Sequence, residues 1–268
     1  MLNQCKGNQV RYVSFWETAP GQSMPPYIAL ALVSIKRAMG DNFLLLTPQT
    51  VPEYIDSNIL DKDWGFEPLA FTLAEGIEAI IAKSDFIRMA FVYRHGGVWV
   101  DADTVFFRDP TSLLFPTGLS CKLHWLSECM FASRAGNSLL AKALAAGLAG
   151  GAHSWGNPGG IKEIVARSAE ELVPIPPAIV DPGYRPLYNF SSCDVMRRLD
   201  LEPADFLVTD AAMIKLYNTY FTRTTSRIEP VAEFLSEGTL LAKLFLHIEP
   251  DLSYWLNETD RLIEWIGQ

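Results

Sequence analysis

The residues best suited to chemistry close a single stretch, SDFIRMAFVYRHGGVWVDAD, residues 84–103, which ends in Asp101 and Asp103. On an extended backbone, side chains two apart point the same way, so this spacing is expected to aim both carboxylates at one point. Like charges a few ångströms apart repel by roughly 4 kcal/mol at an effective dielectric of about 20. One carboxylate must then take up a proton, or both must share a cation. Oxygen ligands suit a hard divalent metal.

The elements that position these aspartates follow from the flanking pattern. Phe86, Ile87, Ala90 and Phe91 recur at helical spacing, so Ser84–Tyr93 is expected to be a helix, with Asp85 and Arg88 three apart on one face. Gly96 and Gly97 stop it, because glycine adopts the left-handed conformation that ends helices. Val98, Trp99 and Val100 are β-formers and resume as a strand.

Upstream, Val10–Trp16 reads as a strand and ETAPGQSMPPY as a loop. Pro25 and Pro26 open a helix that runs to Met39 and stops at Gly40, and Phe43–Thr47 is a short apolar strand. Strand, helix, strand is a βαβ unit, so the sheet is expected to begin parallel. Ligands of open α/β sheets bind beyond the carboxyl ends of the strands, which would bring Glu17 and Asp101 to one crevice. Pro52–Leu60 reads as a further helix.

Beyond Asp103, Leu119–Ser133 reads as one or two strands and Ser138–Leu148 as a helix. The six glycines between Gly147 and Gly160 mark a long loop, either a lid or acceptor-site loop or a plain connection. The five prolines of Val173–Pro186 argue against regular helix there. No repeat or linker divides the chain, and 268 residues suit one large domain.

Hydrophobic residues make up 49 % and charged residues 20 %, an ordinary globular balance. A net charge of −9, with no Lys/Arg run longer than two, argues against nucleic acid as a partner. An anionic sugar nucleotide is still compatible, since a local metal and a few arginines outweigh the global charge. Cys5, Cys121, Cys129 and Cys193 have neither CxxC nor zinc-ligand spacing and read as reduced thiols. The N-terminal residues lack an apolar signal-peptide core, and the most apolar window, Leu139–Gly150, is too short to span a bilayer. The expected location is cytoplasmic, or peripheral at the inner membrane face.

The pattern SDxxRxxxxxxxGGVWVDAD resembles the DXD-containing sugar transferases, among them capsular polysaccharide synthesis proteins and the Golgi initiating α-mannosyltransferases. Trp99 stands where tyrosine is commoner. The phrases FWETAPGQSMPPYIALALVSIKR and FLLLTPQTVPEYI look like the capsular branch, so the resemblance covers about the first 110 residues. It implies a GT-A-like α/β fold, Rossmann-like and nucleotide-sugar-binding, with a mixed, mostly parallel sheet flanked by helices. It also implies one domain over residues 1–268, with the donor and metal half in 1–114 and the acceptor half in 115–268.

The activity so implied is a metal-dependent glycosyltransferase of hexosyltransferase type, with Mn²⁺ or Mg²⁺. It would move a sugar from a UDP- or GDP-sugar donor to a glycan or lipid-linked acceptor, in surface polysaccharide synthesis and with retention of configuration. By the same resemblance Asp103 is the direct metal ligand, and Asp101 contacts the ribose and sugar or reaches the metal through water. Asp85 and Arg88 contact sugar hydroxyls, Gly97 belongs to the donor site, and Phe15, Trp16 and Glu17 hold the nucleotide base. His247, read as a strand-end residue, is the late donor to the metal or diphosphate. Asp210 and Glu128 are acceptor-side candidates. Two rival readings are a haloacid-dehalogenase-like phosphatase using DADTV, which lacks its later GDxxxD motif here, and a non-catalytic nucleotide-sugar-binding module.

Overall fold

The computed structural model describes residues 10–19, 21–55, 77–150, 160–182, 195–207, 210–218 and 230–267. In chain order its strands are β1 (Tyr12–Phe15), β2 (Phe43–Leu46), β3 (Gly97–Val100), β4 (Thr104–Phe106), β5 (Leu123–Ser127), β6 (Met130–Ser133), β7 (Leu172–Pro174) and β8 (Met213–Lys215). The main helices are α1 (Pro26–Met39), α2 (Ile77–His95), α3 (Ser138–Gly150), α4 (Ile161–Ala166), α5 (Val231–Ser236), α6 (Leu240–Ile248) and α7 (Leu252–Ile266). Contacts divide the chain into two compact units. The first takes its described residues from 1–21, 42–101 and 115–175, and the second from 22–41, 102–114 and 176–268.

The first unit carries a six-stranded sheet in the order β2-β1-β3-β6-β5-β7. β1 is parallel to both β2 and β3, as a βαβ start requires, and β5 is parallel to β7, whereas β6 runs antiparallel to both its neighbours. This is the mixed, mostly parallel α/β sheet expected of a GT-A-like fold. Val13, Phe15, Trp99 and Phe131 from the strands meet Phe86, Ala90 and Phe91 of α2 and Leu140 and Leu144 of α3 in one apolar core. Each large side chain so buried contributes about 1.5–3 kcal/mol of transfer free energy.

The second unit is built on the hairpin-like pair β4–β8, antiparallel with Thr104 opposite Lys215, and on helices α1, α5, α6 and α7. Pro26 starts α1 and Gly40, at φ 54°, ends it, with Lys36 and Arg37 in its last turn where they complement the helix dipole. Every residue of α1 from Pro26 to Ile35 is buried, so over that span the helix is covered on all sides rather than along one stripe. Its Ser34 hydroxyl accepts the Phe106 N–H of β4 at 2.9 Å, satisfying a backbone donor on that strand.

Three sequence expectations need correction. Val173–Pro186 contains a one-turn helix, Pro177–Val180, because proline is tolerated in a first turn. His247 lies in helix α6 and not at a strand end. Leu240, Leu241, Leu244 and Phe245 bury one helical face there, and the Thr239 hydroxyl caps the first turn through Ala242 N–H. The backbone is also not extended through Asp101–Asp103: β3 ends at Val100 and a turn follows at Ala102 and Asp103. Its physical reason is that the chain leaves one sheet and begins pairing in another within three residues.

Other expectations fall partly outside the described residues. Of Pro52–Leu60 only the turn Val51–Tyr54 is described as helical. The glycine-rich loop lies almost wholly in 151–159, outside the described residues. Cys121 and Cys129 are free thiols, and Cys5 and Cys193 lie outside the described residues. Among the described residues no helix is long and apolar enough to cross a membrane.

Candidate donor-sugar site

In the first unit the chemistry gathers on Arg88, which α2 buries to 7 % exposure. Its Nη2 pairs with Asp85 Oδ1 at 2.7 Å, one helical turn back. Nη1 donates to the Glu128 carbonyl at 2.8 Å and lies 3.8 Å from Asp101 Oδ1. The guanidinium also sits 5.7 Å from the Trp99 ring centroid. Burial works against its charge, but Asp101 and Asp85 more than offset this and keep it protonated. Burial pushes the Asp85 carboxyl up, with Arg88 pulling it back.

Trp99 has two functions in this cluster. Its ring fills the core, and its indole N–H donates to Asp101 Oδ1 at 2.8 Å. The aromatic residue of the motif thus fixes the first aspartate directly. Asp101 N–H is held in turn by the Cys129 carbonyl at 3.1 Å. The paired glycines at the start of β3 are required by close backbone approach. Gly97 has φ +115° and a Cβ there would stand 2.8 Å from the Arg11 carbonyl oxygen, while one on Gly96 (φ +70°) would stand 2.8 Å from Ala135 N.

The end of β1 supplies the neighbouring groups. Phe15 is 5 % exposed and belongs to the apolar core. Trp16 is partly exposed, with its indole N–H on Thr18 Oγ1 at 2.9 Å. Glu17 takes Lys83 Nζ on both carboxylate oxygens, at 2.8 and 2.6 Å. β1 and β3 are parallel neighbours, so Glu17 and Asp101 both follow the carboxyl ends of adjacent strands, as expected. Glu128, read from sequence as an acceptor-side group, lies in this cluster, its carboxylate 3.0 Å from Lys162.

Asp103 is built into the second unit. It is 5 % exposed, and its Oδ1 pairs with the Lys215 ammonium across the β4–β8 pair. Oδ2 accepts the Asn218 N–H at 2.5 Å, and its backbone carbonyl accepts Leu216 N–H at 2.8 Å. Asn218 is itself held by the Tyr27 hydroxyl of α1 at 2.6 Å. Each aspartate of the motif therefore has its own basic partner, Arg88 for one and Lys215 for the other. That answers in protein terms the demand for positive charge that the motif raises.

The donor chemistry still fits a hard divalent cation. Mg²⁺ or Mn²⁺ is commonly held by one or two carboxylates, the other positions going to water and phosphate oxygens. A carboxylate oxygen has two lone-pair positions, so a single hydrogen bond to each oxygen of Asp103 leaves acceptor capacity over. His247 is exposed in the last turn of α6. Among the described residues no group of three or more His, Cys, Asp or Glu side chains is gathered to hold a metal. Asp210 is an exposed turn residue. Sequence reading missed Lys83, Lys162 and Lys215, and the indole bond to Asp101. Only the last had a local signal, the i, i+2 spacing of Trp99 and Asp101.

An α/β sheet of mostly parallel strands thus carries a clamped arginine and carboxylates that follow adjacent strand ends. Residues 28–117 match the family described as glycosyltransferase sugar-binding region containing DXD motif. The match spans Asp85, Arg88, Gly97, Asp101 and Asp103 and stops short of Lys215. No curated protein matches the chain.

Proposed function

We propose that this chain is a metal-dependent glycosyltransferase that moves a hexose from a UDP- or GDP-sugar to a glycan or lipid-linked acceptor. The observation that carries the reading is the Arg88 cluster. A buried guanidinium holds Asp85 of α2 and Asp101, which follows β3, in fixed positions inside the region that matches the sugar-binding family. Carboxylates so held are good acceptors for sugar and ribose hydroxyls, and their alignment costs nothing when the donor binds. Trp16 and Glu17 are the partly exposed groups that would meet the base.

Asp103, with Asp101 beside it in sequence, would hold a Mn²⁺ or Mg²⁺. Such an ion neutralises the charge that builds on a leaving nucleotide diphosphate. Retention of configuration and a role in surface polysaccharide synthesis complete the reading and rest on the resemblance of the motif. The phosphatase and binding-module rivals have no observation that favours them over the family match.

A thermal-shift screen of nucleotide sugars with Mn²⁺ present tests the proposal, because a ligand that binds only the folded chain raises its melting temperature. Selective stabilisation by one donor, followed by Mn²⁺-dependent sugar release or transfer, is expected. Absence of any nucleotide-sugar response in the folded wild-type chain would overturn it.

A further inference from the structure

One carboxylate of the second unit has no place in the reading above. Asp181 follows the one-turn helix Pro177–Val180 and is 1 % exposed. Its Oδ2 accepts the Tyr217 hydroxyl at 2.8 Å, whereas Oδ1 is buried and has no hydrogen-bond partner among the described residues. A buried acceptor without a donor is costly and uncommon. Tyr217 is a non-glycine residue in the left-handed region, at φ 55°, and with Leu216 it separates Lys215 from Asn218, both bonded to the Asp103 carboxylate.

A mobile donor of the same unit is Lys215, two residues before Tyr217. Its ammonium sits on Asp103 Oδ1 and 5.8 Å from the centroid of the Tyr217 ring, whose hydroxyl reaches Asp181. Burial pushes the Asp181 carboxyl up, while the Tyr217 bond and then the Lys215 charge draw it back. A lysine carries its charge on a flexible four-carbon stem and can exchange acceptors without backbone movement. A second cation on Asp103 would repel the ammonium from the oxygen they share.

We propose that Asp181 is a positioning residue for the metal site, the second acceptor of Lys215. The ammonium leaves Asp103 Oδ1 for the unmatched Oδ1 of Asp181 when Asp103 takes up a divalent cation. Lys215 thus neutralises Asp103 in the metal-free chain, where Asp181 keeps only the Tyr217 hydroxyl, and Asp181 in the loaded one. The inference rests on reading Asp103 as the metal-holding carboxylate.

The experiment is Mn²⁺ binding to the full chain, followed by loss of the free-ion electron paramagnetic resonance signal, in wild type and in D103N, D181N, K215Q and D181N/K215Q. The Gln variant keeps an N–H donor for Asp103 without the charge, and Asn keeps an acceptor for Tyr217, so both preserve the local hydrogen bonding. Folding of each variant is checked by thermal melting without metal. D103N is expected to abolish binding, and D181N to weaken it by about tenfold in the Lys215 background but not in the Gln background, as coupled neighbours do. Failure of wild type to bind Mn²⁺, or full binding by D103N, would overturn the metal reading and this inference with it. Loss of binding in D103N, with D181N unchanged or equally weakened in both backgrounds, would overturn the inference alone.

Discussion

Lys215 lies 112 residues from Asp103 in sequence, yet its ammonium is bound to that carboxylate, and both residues are buried to 9 % exposure or less. A buried ion pair is weak evidence of net stabilisation, but losing one partner leaves an uncompensated charge. Lys215→Met is therefore expected to cost about 3–5 kcal/mol of unfolding free energy. Adding Asp103→Asn to it should recover part of that loss. Denaturant unfolding of the two single variants and the double variant measures the coupling. Additive losses would show that the pair does not act as a unit.

Arg88 reaches four groups at different angles: the Asp85 carboxylate, the Glu128 carbonyl, the Ser84 carbonyl and, more distantly, Asp101. An ammonium on a lysine stem cannot reproduce that fork. Arg88→Lys should lower transfer by about a hundredfold, the scale expected from ångström misplacement of binding groups. It should also lower the melting temperature. Steady-state kinetics on a folded variant checks this, and unchanged kcat/KM would remove Arg88 from the proposed donor site.

Gly97→Ala meets both a backbone oxygen at 2.8 Å and a φ of +115°, which side chains rarely adopt. A loss of about 2 kcal/mol or more is expected, from strain alone or from a shift of β1 against β3. Thermal melting of the purified variant is sufficient. A melting temperature equal to that of the wild type would show that the strand ends yield easily.

Burial pushes the Asp181 carboxyl up to about 6, against an unperturbed 3.8. Between those values the folded chain holds a proton that the unfolded chain has released. The stability from this group is therefore fully present below 3.8 and is lost as pH rises through about 6. Asp181→Asn has no such proton to lose. In metal-free buffer its stability relative to wild type should rise across that window by on the order of 1–3 kcal/mol and then level off. Denaturation at several pH values tests the shape of the curve, and a difference that does not vary with pH would contradict the assignment.

Much of the fold could be read from local punctuation. Pro26 and Gly40 mark the two ends of α1, and Gly96 and Gly97 mark the passage from α2 to β3, because those backbones admit few other residues. The Asp85–Arg88 pair was legible for a similar reason, since helix geometry makes residues three apart neighbours. Lys215 was not legible. Its partnership depends on β4 pairing with β8, a long-range choice that no periodicity within either segment records. His247 was misplaced because a short apolar run fits a buried strand as well as a helix.

Helix α1 is buried throughout Pro26–Ile35, and its neighbours in the second unit include α7, which ends at Ile266. During synthesis at about 5–20 residues per second, roughly 10–40 s separate the emergence of α1 from that of α7. For that interval the mostly apolar run Pro26–Ile35 has left the ribosome before one of its covers exists. Folding of the second unit is thus expected to wait on the synthesis of α7, with a holding chaperone protecting α1 in the meantime.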